Sequence, residues 1–253
     1  MSSQPSAILM TATISPPAGA THLARRGVRD RLDDYCNALR YYLSLPSDTF
    51  DRVVLVDNSN SDVSELLEIA ESHAGDKRVS VLSFEGNDHP PEWGKAYGEF
   101  RLINHALEQA TELSSDNGVF WKVTGRLRCT NLVALARSRP RSCTLYADLR
   151  RFRDKWFDLR TWAADRTTYS SFFASRIEAM REDLLPNVAP ERYLFDEYVS
   201  RRGEYPELCP RFKIEPVWEG FGGQFNLDLT APRFRRKAAV RRATRRLTPW
   251  LWI

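Results

Sequence analysis

The sequence predicts an α/β fold with a mostly parallel central sheet and helices on both faces. Two observations predict it. Short β-prone apolar runs alternate with longer segments of helical periodicity between residues 7 and 147. That β-α-β-α-β-α-β order closes a parallel sheet through right-handed crossovers. The chain length of 253 residues, with 42% hydrophobic and 28% charged residues, suits one large domain of this kind or two small ones.

The elements follow in order. Residues 7–14 (AILMTATI) form a β-prone apolar run, and a polar loop with Pro16, Pro17 and Gly19 follows. Leu32, Tyr35, Cys36, Leu39 and Leu43 then recur with the spacing of an amphipathic helix. Residues 53–57 (VVLVD) read as a buried strand. Asp62 and Glu65 have the spacing of a capping box, ahead of the helical stripe Val63, Leu66, Leu67, Ala70 and Ala74. A third strand is predicted at 79–84 and a third helix at 98–113, burying Phe100, Ile103, Leu107 and Ala110. Further strands are predicted at 119–124 (VFWKVT) and 143–147 (CTLYA). Beyond 150 the pattern loosens into an Arg- and aromatic-rich stretch. Helical segments are expected near 174–183 and 190–202, and a strand or hairpin over 212–226 ends in a glycine turn.

Several function classes are excluded by missing parts. No GxGxxG follows the first strand, Gly94-Lys95 is followed by Ala96 and so completes no P-loop, and no GxSxG nucleophile elbow is present. The four cysteines form no CxxC pair and the four histidines no HExxH-like spacing, so no zinc cluster is expected and the thiols read as reduced. No apolar run reaches the roughly 20 residues of a membrane span. The N-terminus lacks the basic segment of a secretory signal, so a cytoplasmic protein is expected. The net charge of +4 conceals an asymmetry: eight Lys/Arg lie between Arg233 and Arg246, and without them the chain holds 29 basic against 33 acidic residues. Basicity is therefore a property of the C-terminal segment, and an acidic body argues against a nucleic-acid partner.

In parallel sheets ligands bind beyond the carboxyl ends of the strands. The candidate ligand-binding residues are therefore the polar ones at those ends: Thr11 and Thr13, Asp57 and Asn58, and Lys122 with Gly125 and Arg126. Lys95 and Glu99 join them from the start of the third helix.

The run Val53-Val-Leu-Val-Asp-Asn-Ser-Asn60, the segment Gly94-Lys-Ala-Tyr-Gly-Glu99 and the order of elements over residues 7–148 resemble the GT-A class of nucleotide-sugar-dependent glycosyltransferases. The resemblance implies a Rossmann-like GT-A sandwich. It implies one catalytic domain over 1–232, with a nucleotide-binding half (1–148) and an acceptor-side half (149–232), and a basic amphipathic tail over 233–253. It implies that Asp57 receives the nucleobase or ribose. The family's Asp-x-Asp, which holds a divalent metal on the donor diphosphate, has no counterpart in Lys122-Val-Thr-Gly-Arg126. Fixed cations stabilise a departing diphosphate in place of a metal, so no metal cofactor is expected, and Arg126 and Lys95 are the candidates for that role.

For the acceptor proton the candidates are Asp148, which ends a strand and is alternatively a lone metal ligand or a salt-bridge partner, and Glu197 on the helix at 190–202. Each has a plainer reading as a solvated or ion-paired acid. Helical projection of 234–247 gathers Val240, Ala243 and Leu247 on one face, and Trp250 and Trp252 follow Pro249. A basic helix ended by tryptophans suits an anionic membrane surface. The expected protein is thus a glycosyltransferase at the inner face of the membrane, acting on a glycan or lipid-linked acceptor in cell-envelope polysaccharide synthesis. A sugar-phosphate nucleotidyltransferase and a nucleic-acid-binding protein using the Arg-rich segment are the alternatives.

Overall fold

The computed structural model describes residues 5–17, 19, 23–114, 118–151, 155–185, 187–205, 207–223, 226–248 and 251. Its strands are β1 (Ser6–Ala12), β2 (Phe50–Asp57), β3 (Arg78–Ser83), β4 (Phe120–Thr124), β5 (Arg128–Cys129), β6 (Leu145–Tyr146), β7 (Leu149–Arg150), β8 (Trp156–Phe157), β9 (Thr161–Ala164), β10 (Leu208–Cys209), β11 (Trp218–Glu219), β12 (Phe221–Gly222) and β13 (Leu227–Asp228). The helices are α1 (Val28–Leu43), α2 (Ser64–His73), α3 (Gly94–Gln109), α4 (Leu132–Ser138), α5 (Arg166–Phe172), α6 (Pro190–Ser200) and α7 (Pro232–Leu247).

Seven strands form one sheet in the order β10-β6-β9-β4-β1-β2-β3. All its pairings are parallel except those of β9, which runs against both β4 and β6. This is the mostly parallel α/β sheet with helices on both faces that the sequence predicts. The register follows from side-chain alternation. Leu9, Val54, Val56, Phe120 and Trp162 pack on one face with Phe100, Ile103 and Leu107 of α3. Ile8, Met10, Val53, Leu55, Trp121 and Val123 pack on the other with Tyr35, Leu39 and Tyr42 of α1. Both faces are covered, so β1 and β2 read as continuous apolar runs.

The second half departs from expectation in three places. β9, from Thr161-Trp-Ala-Ala164, is a fully buried strand inside the Arg- and aromatic-rich stretch, and its four residues are too few to show a period. The helix expected at 174–183 is instead three 3-10 turns, Ala174–Arg176, Glu178–Met180 and Glu182–Leu184. Arg176 explains the break: its Nη1 donates to the carbonyls of Ser171 (2.6 Å) and Phe172 (2.8 Å), satisfying the end of α5. Finally, Asp62 accepts from the Ser64 N–H at 2.9 Å, but Glu65 pairs with Arg29 of α1, so no capping box closes.

Helix α7 occupies the predicted basic segment, yet its Arg245 is buried in the body. Trp250, Trp252 and Pro249 lie outside the described residues. No helix among the described residues is long and apolar enough to cross a membrane.

Candidate active site

The carboxyl edge of the sheet is built around Asp57. Its carboxylate is fully buried and accepts from the N–H groups of Ile14 (2.8 Å) and Ser59 (3.1 Å) and the hydroxyls of Ser59 and Ser83. One acid thereby fixes the loops leaving β1, β2 and β3. Both oxygens are engaged, so Asp57 shapes the site from behind and has no face toward a nucleoside, contrary to the expected contact. The adjacent Asn58 accepts from the Thr13 hydroxyl at 2.7 Å, leaving its amide N–H groups as donors. Thr13 is itself held by its backbone: its N–H donates to the Tyr35 hydroxyl (2.9 Å), and its carbonyl accepts from Arg31 Nε (2.7 Å).

A second network joins β1, α3 and β4. Glu99 Oε1 accepts from the Thr11 hydroxyl (2.8 Å) and pairs with Lys122 Nζ (2.7 Å). Lys122 is fully buried and also donates to the Leu159 carbonyl at 2.6 Å, with the Thr124 hydroxyl 3.4 Å away. Its three N–H bonds are thus accounted for. Thr11 and Lys122 position Glu99; they do not meet a ligand, as the sequence had suggested they would. Glu99 retains 24% side-chain exposure, and Lys95, one turn earlier on α3, is exposed. In a βαβ unit the helix N-terminus lies at this edge, so the opening N–H groups of α3 add positive potential here.

Glu191, in the first turn of α6, faces the same charges. Burial raises its carboxyl pKa; a hydrogen bond from its own backbone and then the field of Lys95 work against that rise, and Glu99 and Asp158 reinforce it. No ion pair engages it among the described residues. Around the start of α3, His89, Trp93 and Tyr97 form an aromatic cluster, with the Trp93–Tyr97 rings edge to face at 4.8 Å and Arg181 over the Trp93 ring at 3.8 Å. Burial lowers the His89 pKa, keeping the imidazole neutral in the physiological range.

The turn after β4 is pressed against β1. Gly125 donates to the Thr11 carbonyl at 3.0 Å, and a Cβ at this position would lie 2.7 Å from that oxygen, so the close approach requires glycine. Tyr42 anchors the next residues, donating to the Leu127 carbonyl (2.7 Å) and accepting from the Cys129 N–H (3.0 Å). Arg126 is half-buried and donates to the Phe221 carbonyl at 2.9 Å, which leans it on the β12–β13 hairpin. A diphosphate-bound divalent ion finds no carboxylate on this turn, where Thr124, Gly125 and Arg126 stand. Among the described residues no group of three or more His, Cys, Asp or Glu is arranged to hold a metal.

Neither expected base is free. Asp148 is fully buried, and both its oxygens accept from Arg245 Nη2 at 2.8 Å, with Arg150 Nε at 3.3 Å. Glu197 is gripped by Arg176 Nε (3.0 Å) and Arg201 Nε (3.3 Å).

No known protein family matches the sequence, and neither does any curated protein. Solved structures do. HddC from Yersinia pseudotuberculosis is 12% identical over 94% of this chain and 99% of its own, with a TM-score of 0.36. S. aureus TarS 1-349 is 14% identical over 76% of this chain and 54% of its own, with a TM-score of 0.40. A 4-diphosphocytidyl-2C-methyl-D-erythritol synthase is 11% identical over 94% and 99%, with a TM-score of 0.38. The likeness is one of fold.

Glu191 and the His89–Trp93–Tyr97 cluster were not evident from the sequence. The only local signal for Glu191 is Pro190-Glu191, a proline and an acid opening a helix. That pair marks a helix start anywhere in a protein. Its placement within the fields of Lys95 and Glu99 is a product of tertiary packing.

Proposed function

We propose that the chain is a nucleotide-sugar-dependent glycosyltransferase that acts without a carboxylate-bound metal. The observation that supports this reading is the Glu191 carboxyl in the first turn of α6: raised by burial, without an ion-pair partner among the described residues, and within the fields of Lys95 and Glu99 from α3. The nucleoside rests against the His89–Trp93–Tyr97 cluster and the Asn58 amide. Arg126, Lys95 and the α3 N-terminus face the diphosphate. An acceptor hydroxyl attacks the anomeric carbon, the bond to the diphosphate oxygen breaks with its electron pair leaving on the phosphate, and the hydroxyl proton passes to Glu191. The carboxylate must be ionised to act, and its raised pKa makes it the stronger base.

The acceptor is proposed to be an envelope glycan or glycolipid at the inner face of the membrane. On α7 Val240 is 61% and Leu247 75% exposed among outward arginines, an arrangement that suits an anionic bilayer at about 1 kcal/mol per basic residue. The test is a panel of UDP-, GDP- and CMP-sugars, followed by release of the nucleoside phosphate. One donor class should be consumed, and Glu191→Gln should slow its consumption by about 10²–10⁴-fold. Consumption of a nucleoside triphosphate with a sugar phosphate, and of no nucleotide sugar, would overturn the reading.

A further inference from the structure

Between α7 and the body lies a cavity of about 490 Å³, within the size range of small-molecule sites. Arg150, Arg160, Lys237 and Arg241 line it, and Arg235 and Arg242 stand at α7 beside them. The two acids in its wall are already neutralised. Glu215 pairs with Arg245 at 2.6 Å and Arg241 at 3.6 Å, and Glu219 with Arg128 at 3.0 Å. No carboxylate pairs with Lys237 among the described residues. The surplus is felt by the cations themselves. Burial lowers the pKa of Lys237, and the fields of Arg241, Arg150 and Arg160 lower it further; Arg241 is lowered by burial and by Arg150. Helix α7 is anchored on Asp148 and Glu215 through Arg245, but its Lys237 and Arg241 stand toward Arg150 and Arg160, whose charge Asp148 and Asp158 offset in part, and an anion between them is favoured.

A second observation points the same way. Trp218 lines the cavity with only 8% of its surface exposed, and its indole Nε1 is buried without a hydrogen-bond partner. A buried donor left unmade is costly. Arg160 stacks over the same ring at 5.2 Å. A donor with no acceptor, in a wall where Arg150, Arg160 and Arg241 share Asp148, Asp158 and Glu215 while Lys237 has no carboxylate partner among the described residues, is complementary to the oxygens of a phosphate ester.

Position along the sheet decides which phosphate. Ala12 and Asp57 end β1 and β2, and the Thr124–Arg126 turn ends β4. The Thr124 N–H donates to the Arg160 carbonyl at 2.9 Å, which places Arg160 at the same edge as it enters β9, and Arg150 follows β6. At about 4.8 Å per strand, β9 and β6 lie roughly 10 and 14 Å beyond β1. With the nucleoside over β1–β2 and its diphosphate toward β4, the cavity lies on the far side of the transferred sugar.

We infer that this cavity binds a phosphate ester on the acceptor, so that the acceptor substrate is a phosphorylated molecule. The assignment rests on the transferase reading for the word acceptor, while the anion site itself stands on the cavity alone. The test is calorimetric titration of the full chain with glycerol phosphate and, separately, with the nucleotide that the donor panel selects. Binding to vesicles with and without phosphatidylglycerol runs alongside. Variants are Trp218→Phe, which removes only the unpaired donor, and Lys237→Gln, an exposed position on α7 that unfolding should not confound.

Glycerol phosphate should bind, and each variant should weaken it by about tenfold while leaving nucleotide affinity unchanged. If only phosphatidylglycerol vesicles bind, and Trp218→Phe weakens them by the same factor, the phosphate ester is a lipid headgroup and the inference stands. Vesicle binding indifferent to Trp218→Phe, with no glycerol phosphate bound, would overturn it. A parallel loss of nucleotide affinity in both variants would make the cavity the donor's diphosphate site and overturn the acceptor assignment. A chain that binds glycerol phosphate here yet binds no nucleotide would retain the anion site and fail the transferase reading.

Discussion

Replacing Arg245 by Ala withdraws the α7 side chain that is buried in the body. Its guanidinium contacts both oxygens of Asp148 at 2.8 Å, Glu215 at 2.6–2.7 Å and the Phe212 carbonyl at 2.7 Å. Asp148 is fully buried and the Glu215 side chain only 3% exposed, so the substitution strands two carboxylates in the interior. Burial works against the charge on Arg245, and the two acids outweigh it, holding its pKa above the ordinary value. Breaking a buried pair by removing one partner costs about 3–5 kcal/mol. Arg150 and Arg241 already touch the same acids and take up part of the charge, so the lower half of that range is expected. In a chain of this size 1 kcal/mol moves Tm by roughly 2–4 °C, which gives a fall of about 6–15 °C for Arg245→Ala. Differential scanning calorimetry measures it, with Arg242→Ala on the exposed side of the same helix as the control, expected within about 0.5 kcal/mol of wild type. If the two variants melt together within a degree, α7 is not anchored through Arg245, and the cavity beneath it has no fixed wall.

Three further substitutions have defined outcomes. Burial raises the folded-state pKa of Glu191 above its unfolded value, so the protonated form favours the fold and that benefit is lost as pH rises through the folded pKa. Glu191→Gln should therefore melt no lower than wild type at pH 7–8, with the difference closing on acidification, even as turnover falls by about 10²–10⁴-fold; a variant that melts well below wild type at pH 7 would mean a structural role. Gly125→Ala puts a methyl 2.7 Å from the Thr11 carbonyl and should destabilise by about 1–3 kcal/mol, with donor affinity falling as the Arg126 turn shifts; unchanged Tm and affinity would refute the close approach. Tyr42→Phe leaves the Leu127 carbonyl and the Cys129 N–H unpartnered in the core and should cost about 1–3 kcal/mol in chemical denaturation.

The first half of the fold was legible because each strand is an uninterrupted apolar run and each helix carries its own stripe: Val53–Val56 and Leu32–Leu43 announce themselves locally. β9 was not, since four buried residues carry no period, and Arg176 ended α5 through a side-chain contact that no propensity encodes. The edge of the sheet was legible as a place, but the roles of its residues were not. Asp57, Lys122 and Asp148 stand where a ligand would be met, yet each is consumed by partners from distant segments: Ser83, Glu99 and Arg245. Which of these residues is available to a ligand is decided by those long-range pairings. The basic C-terminal segment likewise read as a surface feature, because nothing in the run distinguishes Arg245 from the seven cations around it.

Nucleotide binding in the presence and absence of divalent metal bears most directly on the central claim. A thermal-shift and calorimetric series with UDP, GDP, CMP and their sugar conjugates, each with manganese and each with EDTA, should show one nucleotide family stabilising the chain. That stabilisation should survive EDTA and weaken in Lys95→Gln. Stabilisation that vanishes with EDTA would contradict the cationic diphosphate site, and indifference to every nucleotide would contradict the glycosyltransferase itself.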